Sequence, residues 1–233
     1  MLQLASLTVR WRGDSLPTVA ATRMSQESKS VLPETGGDQS PTGLTIGVLA
    51  LQGDFDAHRK RLEELGANVL LVKKPEQLDE IDGLVIPGGE SSTFLKLLGE
   101  SGFEKLNEFV QDKPTFGTCA GAILLAKEVE NPKQNGLGAI DIAVRRNGYG
   151  RQVDSSIREG NFRGSPIEMV FIRAPKIERV GSGVQVLGSE GDDPVVVSEG
   201  KTIAATFHPE LTPDTRVHRE FLDLVQNWKS ERR

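Results

Sequence analysis

One short segment of the chain has the composition of a nucleophile turn. Gly117-Thr-Cys-Ala-Gly121 lies between two apolar stretches, residues 114–116 and 123–126. A nucleophile on a tight turn from strand to helix needs small neighbours, because the strained backbone leaves little room for larger side chains. The start of the following helix also favours a thiolate over a thiol. We predict that Cys119 is a nucleophile; the competing interpretation is an inert thiol packed at a helix entrance.

A nucleophilic cysteine needs a general base, and the chain has three histidines. His58 and His218 fall in charged helical stretches, which predicts solvated surface positions. His208 instead follows the apolar stretch 202–207 and is followed two residues later by Glu210. Residues two apart in an extended segment point to the same side, so Glu210 can orient the ring of His208. We therefore predict that His208 is the base and Glu210 its orienter.

A third segment, Pro87-Gly-Gly-Glu-Ser91, also follows an apolar strand-sized run and precedes a helical pattern. Consecutive glycines allow a substrate to approach the backbone closely, and their N–H groups can point at a developing oxyanion. Such a loop is weak support by itself, because most Gly-Gly turns are only turns. The loop supports an active site only in combination with the cysteine turn and the histidine segment.

The elements that would position these segments alternate along the first half of the chain. Apolar periodicity predicts strands at 45–51, 69–72, 84–86 and 115–118, and helices at 56–65, 92–98, 103–111 and 120–129, with a short helical piece at 76–79. This alternation is typical of a parallel sheet with helices on both faces. The second half predicts short strands at 139–145, 167–172, 185–187, 195–197 and 202–207, and a closing helix at 215–228.

Bulk composition narrows the function classes. The 233 residues carry a formal net charge of -5, without the basic surface that nucleic-acid binding requires. The longest apolar runs are strand-sized, which argues against a membrane span. A single cysteine cannot form an intramolecular disulfide, so we expect a cytoplasmic protein. No glycine-rich loop of the dinucleotide or P-loop kind is present, so we expect no phosphate-bearing cofactor.

The first part of the chain has a different composition from the rest. Residues 1–43 are rich in Ser, Thr, Pro and Gly, with little apolar periodicity, which predicts a disordered extension before a single domain at 44–233. Residues 1–23 loosely resemble an organellar transit peptide, and Met24 is an alternative start.

The three segments together resemble the class I, or triad, glutamine amidotransferases in motif, order and spacing. Within that class the chain is most similar to the glutaminase subunit of pyridoxal 5'-phosphate synthase. The closer similarity rests on segments 47–53, 146–152, 171–175 and 207–211, and the resemblance covers residues 45–225. It implies a three-layer α/β/α fold with a mixed, mainly parallel central sheet. It also implies no cofactor, no metal, L-glutamine as substrate, and a (β/α)8-barrel synthase subunit as the partner that receives ammonia.

The resemblance also implies roles for individual residues. Cys119, His208 and Glu210 correspond to the catalytic triad, and the N–H groups of Gly89 and Ala120 to the oxyanion hole. The implied glutamine site is formed by Gly88, Gly89, Glu90, Arg146, Ile172 and Arg173.

Three alternatives remain open at the level of sequence. An amidotransferase of histidine or nucleotide biosynthesis has the same triad, but the Arg146 and Phe171 segments argue against it. A non-enzymatic binding subunit on this fold is expected to lack a triad residue. A cysteine hydrolase acting on other substrates would not need the pair formed by Glu90 and Arg146.

Overall fold

A computed structural model describes residues 43–148 and 155–232 of the chain. The predicted extension at 1–43 lies outside the described residues except for Gly43, and so do residues 149–152 of the Arg146 segment. The domain division at 44–233 therefore stays a prediction. No helix within the described ranges is long and apolar enough to cross a membrane.

The described residues form strands and helices in close alternation. The strands are β1 (Thr45–Leu49), β2 (Asn68–Val72), β3 (Gly83–Ile86), β4 (Thr115–Thr118), β5 (Ala126–Glu130), β6 (Ile140–Arg145), β7 (Ser155–Phe162), β8 (Ser165–Ile172), β9 (Lys176–Val180), β10 (Gln185–Glu190), β11 (Asp193–Glu199) and β12 (Thr202–Ala205). The helices are α1 (Phe55–Glu64), α2 (Ser91–Asp112), α3 (Ala120–Leu125) and α4 (Arg216–Glu231), and 3-10 turns span Pro75–Glu80 and Pro209–Leu211.

Nine of the strands form one mixed sheet in the order β2-β1-β3-β4-β12-β11-β10-β7-β8. The first five strands in this order are parallel, and each later neighbour is antiparallel to the strand before it. A separate three-stranded sheet has the order β5-β6-β9. The cysteine, Gly-Gly and histidine segments follow three of the parallel strands, whereas Arg146 follows β6 of the small sheet and Ile172 ends the antiparallel strand β8.

Alternate side chains of the large sheet pack into two different cores. In β3, Leu84 and Ile86 belong to one core and Val85 to the other. The first core is completed by α2, α3 and the small sheet, and the second by α1, α4 and residues of β8. Strands buried on both faces read as continuous apolar runs, as these do. The expected three-layer α/β/α fold with a mixed sheet is confirmed.

The element predictions were wrong in part. The helix predicted at 120–129 ends at Leu125, because Ala126–Glu130 pairs in parallel with β6 and tertiary pairing overrides the local helical pattern. The two helices predicted at 92–98 and 103–111 are confirmed as the two parts of α2, which Gly99 separates with a non-helical φ of 64° and ψ of -175°. Strands β7 and β9 were missed, since their outward faces are strongly polar.

Candidate active site

The sheet order brings the three predicted segments together. Strand β4 lies between β3 and β12, and in parallel strands the carboxyl ends share one edge. Cys119 follows β4, the Gly88 loop follows β3, and His208 comes shortly after β12. Open α/β sheets bind ligands at this edge. The position of the site is therefore a consequence of strand order.

Cys119 lies on a strained turn between β4 and α3. Its φ of 48° and ψ of -101° are in a region that residues with a Cβ rarely occupy. The backbone is held there by a hydrogen bond from the Cys119 N–H to the Ala205 carbonyl, with an N to O distance of 2.9 Å. A Cβ on Gly121 would overlap the carbonyl of Ile86, so this glycine is needed for the tight approach of α3 to β3. The side chain is buried, and its Sγ lies 3.7 Å from the Ile172 carbonyl oxygen.

His208 and Glu210 form a buried pair beside the cysteine. His208 Nδ1 lies 2.7 Å from Glu210 Oε1, and both side chains are at most 4% exposed. The His208 N–H donates to the Val170 carbonyl at 2.8 Å, which fixes the segment against β8. Residues two apart thus meet as the sequence predicted, although Glu210 lies in a 3-10 turn rather than in extended backbone.

The charges of this pair favour an imidazolium next to the cysteine. Burial lowers the pKa of His208, but hydrogen bonds to Cys119 and Glu210 and their negative charges outweigh it and raise the pKa to about 10. Burial raises the pKa of Glu210, yet His58 and His208 outweigh it and hold that pKa below its usual value. A proton therefore stays on His208 at neutral pH, in the form that can protonate a leaving nitrogen.

The Gly88–Gly89 loop is fitted closely to the base and to the turn after β1. A Cβ on Gly88 would overlap Cε1 of His208, and one on Gly53 would overlap the Gly88 carbonyl oxygen. Gln52 Nε2 donates to the Glu90 carbonyl at 2.6 Å, and its Oε1 accepts from the Glu90 N–H at 3.3 Å. Gln52, which was not among the predicted site residues, anchors this loop.

Glu90 and Arg146, both predicted to bind substrate, form an ion pair. Arg146 Nη2 donates to Glu90 Oε1 at 2.8 Å, and the Ser92 hydroxyl donates to the same oxygen at 2.8 Å. The pKa of Glu90 is lowered mainly by the hydrogen bond from the Ser92 hydroxyl, although partial burial acts in the opposite direction. Smaller contributions that lower it come from the Ser92 N–H and from the charges of Arg146 and Arg173. The carboxylate therefore stays charged and faces a guanidinium.

One cleft collects most of the predicted site residues. Its lining includes Cys119, His208, Gly89, Glu90, Arg146, Ile172 and Arg173. Gly88 packs on His208 instead, Glu210 lies behind His208, and Ala120 follows Cys119 at the start of α3. Among the described residues, three of the five non-glycine residues with positive φ lie in this lining: Cys119, Asn147 and Arg173. Backbone strain clusters at functional sites.

The prediction that His58 and His218 are solvated was wrong. Both side chains are fully buried, and His58 Nδ1 lies 3.0 Å from His218 Nε2. His58 Nε2 lies 3.1 Å from Thr118 Oγ1 and 3.3 Å from Glu210 Oε2. The missed signal is positional: His58 is four residues from buried Leu62, and His218 is three from buried Phe221, so each lies on the apolar stripe of its helix.

These buried imidazoles should make the domain sensitive to acid. Burial lowers the pKa of His218 to about 3, with a further contribution from His58. A histidine in the unfolded chain has a pKa near 6.5. Below that pH the unfolded chain therefore binds a proton that the folded chain does not, and this favours unfolding. We expect the unfolding free energy to fall by about 2 kcal/mol between pH 7 and pH 5 through His218 alone. Urea unfolding at pH 7 and pH 5 measures this difference in unfolding free energy.

The matched variant for this prediction is His218→Leu, which removes the titrating group and keeps an apolar side chain in its place. Its pH dependence between 7 and 5 should be smaller by that amount, whatever its absolute stability. An equal loss of stability in both chains would contradict the assignment of the effect to His218.

The described residues offer one group of potential metal ligands near the site. Asp54, His208 and Glu210 bring one ligand atom each within 4.8 Å of one another. However, His208 Nδ1 already bonds Glu210 at 2.7 Å, so two of the three groups satisfy each other. The arrangement favours a base with its orienter over a metal site.

Comparison with known proteins agrees with this chemistry. The profile of the SNO glutamine amidotransferase family matches residues 48–227. The chain belongs to this family. A relative in Koribacter versatilis, named pyridoxal 5'-phosphate synthase subunit PdxT, is 66% identical over 189 residues, covering 80% of this chain and 98% of the relative. A protein of the same name in Thermotoga maritima is 48% identical over 188 residues, covering 78% and 100%.

Solved structures extend the family assignment to the fold. A crystal structure of a glutamine amidotransferase superposes with a TM-score of 0.73 at 46% identity, covering 77% of this chain and 98% of that one. The PurLQS structure from Thermotoga maritima has a TM-score of 0.57 at 14% identity, covering 79% and 95%, and shares the fold alone. Membership of the family makes the chain a glutamine amidotransferase, whereas the individual residue roles stay predictions.

Proposed function

We propose that this chain is the glutaminase subunit of a pyridoxal 5'-phosphate synthase, which hydrolyses L-glutamine to L-glutamate and ammonia. The observation that carries the proposal is the convergence of Cys119 with the buried His208–Glu210 pair on one cleft. The relatives named as this subunit, 48–66% identical and matched over nearly their whole length, support the pathway.

In the proposed mechanism, the thiolate of Cys119 attacks the amide carbon of glutamine. Backbone N–H groups of Gly89 and Ala120 stabilise the oxyanion, each contributing about 2.7–4 kcal/mol. His208 gives its proton to the departing nitrogen, which leaves as ammonia. Water activated by His208 then hydrolyses the γ-glutamyl thioester to glutamate.

The charge pair in the cleft suits the other end of the substrate. Free glutamine is a zwitterion at neutral pH, so its ammonium group needs a carboxylate partner and its carboxylate a cationic one. Glu90 and Arg146 offer these two partners at 2.8 Å from each other in the same cleft as Cys119. A bidentate guanidinium contact fits a carboxylate well. The pair thereby favours a free amino acid over a glutamine within a peptide chain.

The proposed partner is a (β/α)8-barrel synthase subunit that uses the ammonia to build pyridoxal 5'-phosphate. Ammonia released into neutral water is mostly protonated and no longer a nucleophile. Direct passage from this chain to the synthase avoids that loss. In this proposal, pyridoxal phosphate is a product of the complex and not a ligand of this chain.

The test is an assay of purified full-length chain with and without the synthase subunit of the same organism. We expect glutamate from glutamine and, with the synthase present, glutamine-dependent formation of pyridoxal phosphate. A synthase from histidine or nucleotide biosynthesis serves as the matched control. Glutamate formation that responds only to the control partner would assign the chain to that other pathway. Absence of glutamate with either partner would reject the glutaminase.

A further inference from the structure

Two fully buried histidines have no part in the mechanism above. His58 on α1 and His218 on α4 are both 0% exposed and meet at 3.0 Å between Nδ1 and Nε2. Burying polar imidazoles costs free energy unless their nitrogens find partners. The pair lies next to Phe116 in the second core, so its burial has to be explained by the contacts that its nitrogens make.

One member of the pair, His58, contacts the carboxylate of Glu210. Glu210 uses Oε1 to bond His208, while Oε2 faces His58 Nε2 at 3.3 Å. Among the described residues, Oε2 has no hydrogen bond of ordinary geometry, so its 3.3 Å contact with His58 Nε2 supplies polar support. His58 Nε2 also lies 3.1 Å from Thr118 Oγ1, on the residue before Cys119. His58 therefore contacts both the glutamate of the triad and the residue that precedes the cysteine.

Electrostatics decides where the protons of the two rings lie. If His58 carried its proton on Nδ1, the lone pair of Nε2 would face the anionic Oε2, which is repulsive at this distance. His218 Nε2 would then be the acceptor, and the buried Nδ1–H of His218 would have no partner among the described residues. The opposite arrangement removes the repulsion and leaves a lone pair, instead of an N–H group, without a partner at His218 Nδ1 among the described residues. His218 Nε2–H donates to His58 Nδ1, and His58 Nε2–H donates to Thr118 Oγ1 while the same nitrogen lies 3.3 Å from Glu210 Oε2.

We propose that His58 is a positioning residue of the glutaminase, whose Nε2–H bonds Thr118 Oγ1 and attracts the second oxygen of Glu210 at 3.3 Å, and that His218 fixes the tautomer of His58 that makes these contacts. The inference rests on the proposed glutaminase function. Glu210 is held at both oxygens, by His208 on one side and by His58 on the other. Its carboxylate then cannot rotate, and the ring of His208 stays aimed at Cys119.

The tautomers can be measured without any activity. Because the chain has only three histidines, ¹⁵N-labelled imidazoles give six ring-nitrogen signals in a long-range proton–nitrogen spectrum of the full chain. We expect His58 and His218 to be neutral at pH 7, each with its proton on Nε2. A proton on Nδ1 of His58, or a charged His58, would overturn the proposal.

A matched pair of variants tests the consequence for catalysis. The amide nitrogen of glutamine reaches the position of a histidine Nε2, whereas that of asparagine reaches only the position of Nδ1. Both variants keep a polar amide at this buried position, and His58→Gln alone can still place an amide N–H next to Thr118 and Glu210. In the complex with the synthase we expect His58→Asn to lower kcat about 10- to 100-fold with KM within about twofold. His58→Gln should retain kcat within about threefold.

The outcomes separate the two levels of the proposal. Equal losses of kcat in His58→Asn and His58→Gln, or losses that follow their melting temperatures, would assign His58 to stability alone and overturn its positioning role. A wild-type complex that forms no glutamate would reject the glutaminase, while the histidine spectrum would still decide whether His58 holds Glu210. A kcat deficit confined to His58→Asn, together with the Nε2–H tautomer, supports the positioning role.

Discussion

The Cys119→Ala variant is expected to release glutamate at least about 10³-fold more slowly than the wild type in the presence of the synthase. Cys119 is the only cysteine of the chain, and it faces the cleft beside a histidine that carries a proton at neutral pH. Removing the nucleophile of a triad costs most of the rate, and the remaining groups cannot form a covalent intermediate. Glutamate release measured with a coupled dehydrogenase reports the loss.

The fold should survive this substitution. Alanine keeps a Cβ, so the backbone strain at φ 48° is the same, and only the sulfur is removed. The melting temperature should therefore stay within a few degrees, and the variant should still bind the synthase. Cys119→Ser is the matched control, because it keeps a polar atom of similar reach that is a much weaker nucleophile. More than a few per cent of wild-type activity in Cys119→Ala would reject Cys119 as the nucleophile.

The parts of the site that could be predicted from the sequence are those encoded locally. Gly117 and Gly121 around Cys119, and the two-residue spacing from His208 to Glu210, are visible in short segments. The strand-helix alternation then brings the carboxyl ends of the parallel strands to one edge. These signals need no knowledge of distant contacts.

The support behind the triad could not be predicted in the same way. His58 and His218 are 160 residues apart, and only the packing of α1 and α4 on the same core brings their rings together. Helix α1 is rich in charged residues, which hid the fact that His58 is on its buried side. Likewise, Gln52 and Glu90 are 38 residues apart, and their contact depends on β1 and β3 being neighbours.

The end of α3 shows the same limit for secondary structure. Residues 120–126 are continuously apolar, and the following Lys127 and Glu128 are compatible with a helix by propensity. The chain instead turns into β5, because a parallel partner, β6, is available across the loop. The partner strand is a tertiary feature, so local periodicity carries no information about it.

The second large effect is expected at Gly88, where the loop touches the catalytic base. A Cβ at this position would overlap Cε1 of His208 and come within 3.1 Å of its Nδ1. The ring cannot retreat without breaking its 2.7 Å bond to Glu210, and both groups are buried. The backbone of Gly88 does not have the positive φ that would strain alanine, so the clash with the ring is the main consequence of the substitution.

Gly88→Ala should therefore lower kcat by about 10²–10³, which is within the range that a general acid and base contributes. KM should change much less, because Gly88 is not part of the cleft lining. Gly102→Ala is the matched control. It adds the same methyl group to a buried glycine of α2, where the nearest atom, Leu98 Cβ, is at an ordinary 3.5 Å, and alanine favours the helix. Steady-state kinetics of both variants with the synthase compare the two sites. A Gly88→Ala variant as active as Gly102→Ala would mean that the loop yields instead of the ring, and that the close fit of Gly88 against His208 does not control the position of the base.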